Sequence, residues 1–186
     1  MQLTPTVTPD SASSPDAESG PSATDQYSQG LAIALRKLNA HARTRHEISK
    51  VLIDKGIDEG LSGSIIDRLT ELGYLNDIEF ANEWVRSRVR SRGLALSVLR
   101  RELNSKGVDA EIIENALLTI DPADSDRRAR ELAEKKYRSL SGATDAVAMR
   151  RISALLQRKG YSAGQSWSIS RSVVGGSDDF DAPSFQ

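Results

Sequence analysis

From about Tyr27 onward, apolar side chains recur three and four positions apart, which is the period of helices with one buried face. Leu31, Leu35 and Leu38, with Ala34 and Ala42, make a first stripe that ends around His41–Arg43. Thr44-Arg-His-Glu47 then reads as a capping box, hydroxyl and carboxylate each serving a free backbone N–H. The helix it opens carries Ile48, Val51 and Leu52 and stops at Lys55-Gly56, where glycine can take the left-handed conformation that closes a helix. A third helix is expected from about Asp58 to Leu72, with Leu61, Ile65, Leu69 and Leu72 inward. Gly60 and Gly63 each cost about 1 kcal/mol against alanine inside it, so its first turn is expected to fray. Asn76-Asp-Ile-Glu79 is a second cap-like start, followed by inward Ile78, Ala81, Val85 and Val89, then by Ala95, Leu99 and Leu103, closing at Lys106-Gly107. Asp109 caps a short helix with Ile112, Ile113, Ala116, Leu117 and Ile120, and Asp121-Pro122 breaks the chain. The last block starts near Asp124, takes Thr144 as a cap, carries Ile152, Leu155 and Leu156 to Lys159-Gly160, and ends with Trp167, Ile169 and Val173.

The three Lys-Gly pairs mark a repeat. Gly56, Gly107 and Gly160 are spaced by 51 and 53 residues. Eight positions before each stand Ile48, Leu99 and Ile152, and four before stand Leu52, Leu103 and Leu156. One position after come Ile57, Val108 and Tyr161; nine after, Ile65, Ala116 and Ile169; thirteen after, Leu69, Ile120 and Val173. Five positions stay apolar in all three copies, which predicts an all-α chain of three tandem three-helix, helix-turn-helix-like units at 27–75, 76–121 and 122–174. Each unit alone would have a marginal core. Stacked, they are expected to form an elongated, curved body suited to extended surfaces rather than to small-molecule pockets.

Composition changes this picture at the ends. Residues 1–26 and 175–186 are rich in Ser, Pro, Asp and Ala, and are expected to be disordered acidic tails. They hold seven of the 26 acids and no Lys or Arg, leaving 19 acids against 25 bases in residues 27–174. That basic body suits an anionic partner, either nucleic acid or an acidic protein. The chain has no cysteine, hence no disulfide or thiolate chemistry. It shows no secretory signal pattern and no apolar run of about 18 residues, so a cytoplasmic protein that does not enter a membrane is the expectation.

The positive charge is densest from Arg86 to Arg101, where six arginines (Arg86, Arg88, Arg90, Arg92, Arg100 and Arg101) occur without an acid between them. Arg86, Arg90, Arg100 and Arg101 should point away from the apolar stripes, with Arg88 and Arg92 flanking them. Nothing adjacent in sequence neutralises them, as in a surface that meets something anionic. The plainer alternative is a solvated face balanced by acids from neighbouring helices.

Other chemistry finds little footing. His41 and His46 are five apart, on different helix faces and across a helix break, so no metal is expected there. Ser105-Lys106-Gly107 lacks the frame of a phosphate loop, and no serine has a fixed base. No catalytic residue, metal or cofactor is expected. Trp84 and Trp167 could stack on nucleobases, but helical spacing favours core packing for both, and Tyr74 should pack as an apolar lock behind Gly73.

The run Asp67-Arg-Leu-Thr-Glu-Leu-Gly-Tyr-Leu-Asn-Asp-Ile-Glu-Phe-Ala81, followed by Trp84-Val-Arg-Ser-Arg88, Arg92-Gly93 and Glu102-Leu103-x-x-Lys106-Gly107-Val108, resembles the RecX family of bacterial RecA regulators. The similarity runs from about Ala32 to Val174; Gly60 and Gly63 depart from the charged or helix-favouring residues expected there. The resemblance implies an all-helical, non-enzymatic protein. It would bind the RecA recombinase and its filament on single-stranded DNA, suppressing ATPase, strand-exchange and coprotease activities. It supplies no catalytic residues, so the six arginines remain the candidate contacts, with acidic groups of the recombinase or with DNA phosphates. The competing expectation is a helical protein that binds DNA directly through this basic face. A monomer is expected in either case.

Overall fold

The computed structural model describes residues 22–175, and within them the ordered secondary structure is all helical. Nine helices follow in order: α1 (Ala23–Ala40), α2 (Arg45–Asp54), α3 (Glu59–Glu71), α4 (Asp77–Arg92), α5 (Leu96–Ser105), α6 (Ala110–Leu118), α7 (Pro122–Arg138), α8 (Asp145–Arg158) and α9 (Ala163–Val174). They group three by three around three apolar cores, led by Ile48, Leu52 and Ile65, by Leu99, Leu103 and Ile113, and by Ile152, Leu156 and Ile169. Of the fifteen side chains at the repeated apolar positions, thirteen are buried; Ile120 and Val173 are half-buried.

Each Lys-Gly closes the middle helix of its unit in the same way. The Gly N–H reaches the carbonyl three residues back (Ile53, Asn104, Gln157), and the next residue's N–H reaches the carbonyl five back (Leu52, Leu103, Leu156). This double closure, the Schellman motif, requires a left-handed residue, and all three glycines have positive φ. It also folds the following Ile57, Val108 or Tyr161 back over the leucine whose carbonyl it uses.

The same turn joins the units. Lys106-Gly107 sits on the start of α2: the Thr44 hydroxyl donates to the Lys106 carbonyl at 2.6 Å, and the Lys106 ammonium donates to Glu47 Oε1 at 2.8 Å. Lys159-Gly160 sits likewise on the start of α5. There the Ala95 N–H donates to the Lys159 carbonyl at 2.9 Å, the Ser97 hydroxyl to the Gly160 carbonyl at 2.7 Å, and Lys159 Nζ to the Arg92 carbonyl at 2.8 Å. A Cβ on Gly107 would lie against the His46 side chain, and one on Gly160 against Val98 Cγ2. Thr44 and Ala95, the cap residues beneath these turns, are buried.

Several local expectations change. Helix α1 starts at Ala23, inside the segment expected to be a tail, because Ser22 and Asp25 form a full capping box. The rest of the N-terminal tail, 1–21, and residues 176–186 lie outside the described residues. Asp121-Pro122 opens α7 rather than only ending α6: Asp121 caps it and Pro122 takes the first helical position, where no N–H is needed. Thr144 stands at the N-cap of α8 but makes no side-chain capping bond. Helix α3 is helical through Gly60 and Gly63, its start held by Asp58 accepting from two backbone N–H groups. Ile78 is 60% exposed, Leu72 51% and Tyr74 58%, so none of the three fills a core.

Two acids at the first junction titrate in opposite senses. Burial alone would raise the Glu47 carboxyl, but hydrogen bonds from Lys106 Nζ and the Thr44 N–H, with the charges of Lys106 and Arg43, hold it below its ordinary 4.5. Burial raises Asp77 above its ordinary 3.8, against the opposing hydrogen bond from the Arg45 N–H. Folding therefore favours the Glu47 anion, giving stability present above pH 4.5 that is lost as the pH falls. Asp77 works the other way, binding its proton more tightly when folded, so its ionisation removes stability as pH rises past 3.8. Glu47→Gln is thus expected to flatten the acid loss of stability, and Asp77→Asn to steepen it. Denaturation midpoints measured between about pH 3 and 6 would show this, and equal slopes in the three proteins would contradict it.

Candidate partner-binding surface

The six arginines lie on α4 and α5, whose apolar sides are pinned by Ala81, Val85 and Val89 and by Leu99 and Leu103. Burial of those side chains fixes the rotation of each helix, leaving Arg86, Arg90, Arg92, Arg100 and Arg101 exposed. Half of the run nevertheless has acidic partners, one on its own helix and two on neighbouring helices. Arg100 makes a two-pronged pair with Glu114 of α6, Nε to Oε1 at 2.6 Å and Nη2 to Oε2 at 2.7 Å. Sharing those hydrogen bonds holds the Glu114 carboxyl below its ordinary range. Arg86 pairs with Glu83 one turn back at 3.2 Å.

Arg88 is drawn inward. Its guanidinium lies 4.0 Å from the centroid of the Trp84 ring and its Nε 3.5 Å from Glu102 Oε2, an ion pair without hydrogen-bond geometry. Trp84 also donates from Nε1 to Glu102 at 2.8 Å, stacks on Phe80 at 5.6 Å between centroids, and carries Lys106 Nζ 4.5 Å from its ring. Its ring is thus engaged by Arg88, Lys106 and Phe80, in the packing role expected of it. Cation–π contacts of this kind contribute about 0.5–2 kcal/mol as the cation is desolvated. With Lys106 reaching on to Glu47, the cluster ties the second unit to the first.

That leaves Arg90, Arg92 and Arg101 as exposed guanidiniums that make no ion pair among the described residues. Local reading could not find the division, because two of the three balancing acids, Glu102 and Glu114, belong to helices brought beside the arginines by folding. It also passed over α8, where Arg150, Arg151 and Arg158 are exposed and unpaired among the described residues. Trp167 corrects a further expectation: it is 55% exposed on α9, because Ile169 and Val174 take the inward side of that helix. Among the described residues no group of acids, histidines or cysteines could hold a metal ion, and no helix is long and apolar enough to cross a membrane.

Comparison with known proteins bears on this architecture. Residues 76–117 match the family profile for the second three-helix domain of RecX, and residues 124–169 match that for the third. Regulatory protein RecX of Streptomyces coelicolor is 37% identical over 162 residues, covering 87% of this chain and 86% of its own. The chain belongs to the RecX family. Regulatory protein RecX of Mycolicibacterium smegmatis is 36% identical, over 89% of this chain and 90% of that one. The crystal structure of RecX from Lactobacillus salivarius superimposes with a TM-score of 0.72 at 28% identity, over 81% of this chain and 97% of that chain. This RecX-family chain is therefore a regulatory protein built from three-helix domains. The matched domains hold α4–α6 and most of α7–α9, so the arginine surface falls within the second.

Proposed function

We propose that this RecX-family chain binds the RecA recombinase, chiefly as its filament on single-stranded DNA, and restrains ATP hydrolysis, strand exchange and coprotease activity. The observation that carries the reading is family membership joined to a body whose described surface holds unpaired arginines on α4 and α5. Arg90, Arg92 and Arg101 are the primary contacts, since their hydrogen-bonding capacity is open to a carboxylate or phosphate. Arg86 and Arg100 would contribute by exchanging their glutamate partners, and Arg88 by holding Trp84 in place. The protein acts as a monomer in the cytoplasm, where the filament forms.

Direct DNA binding is the second reading. Trp167, exposed on the last helix of a helix-turn-helix-like unit, favours it, because an accessible indole can stack on an unpaired base. The two readings separate in one assay: single-stranded-DNA-dependent ATP hydrolysis by the host recombinase, titrated with this protein at two DNA concentrations. Inhibition at substoichiometric protein, unchanged by excess DNA, is the expected result. Inhibition that excess DNA relieves, with binding to bare DNA that falls steeply with salt, would replace the first reading by the second.

A further inference from the structure

The two junctions follow one rule, in which the Lys-Gly turn of a unit seats on the first residues of the preceding unit's middle helix. Among the described residues that rule leaves one turn and one helix start unused. Lys55-Gly56 has no preceding unit among the described residues: both residues are exposed, Gly56 has the same left-handed sense with φ of 80°, and a Cβ placed on it would meet nothing within 4 Å. At the other end, no unit among the described residues follows to cover the start of α8.

Helix α8 differs from its counterparts at that point. Counting back twelve residues from the glycine reaches Thr44 in the first unit, Ala95 in the second and Ala148 in the third. Thr44 and Ala95 are N-caps, but Ala148 is inside a helix that begins one turn earlier, at Asp145. The backbone shows what that turn does. The Ala95 N–H donates to the Lys159 carbonyl of the next unit, whereas the Ala148 N–H donates to the Thr144 carbonyl of its own helix at 2.9 Å. Both alanines are buried. The extra turn therefore occupies the place of a fourth unit's Lys-Gly turn.

Side chains reinforce the closure. The working seat on α5 reads Ala95-Leu-Ser-Val-Leu99, with Ser97 and Val98 against Gly160. The third unit reads Ala148-Met-Arg-Arg-Ile152 in the same register. Arg150 and Arg151 stand where Ser97 and Val98 receive the glycine, exposed, and would face Lys55 of an incoming chain with like charge.

We propose that the extra turn of α8, with Arg150 and Arg151, terminates the stack and prevents this chain from adding to a second copy head to tail through Lys55-Gly56. An open seat would matter because a heterologous contact that does not close into a ring propagates into filaments. Terminal units of repeat proteins commonly need such a distinct outer face.

Two variants reopen the seat, both with Arg150→Ser and Arg151→Val. One also deletes Thr144–Val147; the other keeps chain length and melts the turn with Asp145→Gly, Ala146→Gly and Val147→Ser. Sedimentation equilibrium and thermal melting would be followed for each beside the native chain. The native chain is expected to keep one chain mass at every concentration. The opened variants should exceed twice that mass as concentration rises, and adding Gly56→Ala should return them to one. A cooperatively folded opened variant that stays at one chain mass overturns the proposal, as does association that survives Gly56→Ala or native chains that associate through Lys55-Gly56. Loss of cooperative melting in both variants also overturns it, showing the turn to be needed for folding the third unit rather than for ending the stack.

Discussion

Gly160→Ala is expected to lower the stability of the fold by about 3 kcal/mol, while Gly56→Ala, the same substitution at the same repeat position, costs about 1 kcal/mol. Both glycines hold positive φ, 93° and 80°, so both alanines carry the left-handed backbone penalty. Of these two, only Gly160 also brings the new methyl against packed atoms, Val98 Cγ2 and, at 3.1 Å, Ser97 Oγ. Relief requires opening the junction, which strains the Ser97 hydroxyl bond to the Gly160 carbonyl and the Ala95 N–H bond to the Lys159 carbonyl. Urea denaturation at constant slope would measure the difference as a larger midpoint shift for Gly160→Ala. Equal shifts would mean that close approach at the junction contributes nothing beyond backbone strain.

The second large effect is on binding. Replacing Arg90, Arg92 and Arg101 together by alanine should weaken binding to the recombinase filament about thirtyfold, taking about 0.7 kcal/mol per exposed charge. The melting temperature should stay within about a degree or two of the native chain, because surface changes without intrachain partners are close to neutral. Replacing Arg86, Arg88 and Arg100 provides the contrast. Arg88→Ala removes a guanidinium packed on Trp84 and leaves Glu102 with the indole N–H alone, so this triple variant should lose stability as well as affinity. Equal loss of binding at unchanged stability in both triples would show that the intrachain ion pairs do not sort the arginines. If the first triple instead lowers affinity for bare DNA with a shallower salt dependence, its contacts are phosphates.

The three-unit plan was legible because it rests on local rules repeated three times. Leu52, Leu103 and Leu156 have to be apolar to make any core, and the glycines behind them have to adopt positive φ for the helices to end in a Schellman turn. Thr44 with Glu47 was legible as a capping box for the same reason, three residues being enough to make one. The errors fall where local rules are silent. Ile78 and Trp167 satisfy helical periodicity, yet both stand exposed on their helices. Arg100 has no acid three or four positions away on its own helix, and its partner Glu114 arrives through the packing of α5 on α6.

What the sequence by itself determined, then, is the all-helical character, most of the helix ends, the repeat and its core positions. Hydrophobic period, caps and left-handed glycines act within a few residues, so they can be read without coordinates. The tertiary structure alone decided which arginines are free and that the Lys-Gly turns join units as well as end helices. It alone showed that α8 begins a turn earlier, relative to its Lys-Gly turn, than α2 and α5 do. The pairing of Arg100 and the joining of units depend on atoms 14 to 67 residues apart meeting at hydrogen-bond distance, a meeting set by how the three cores seat on one another.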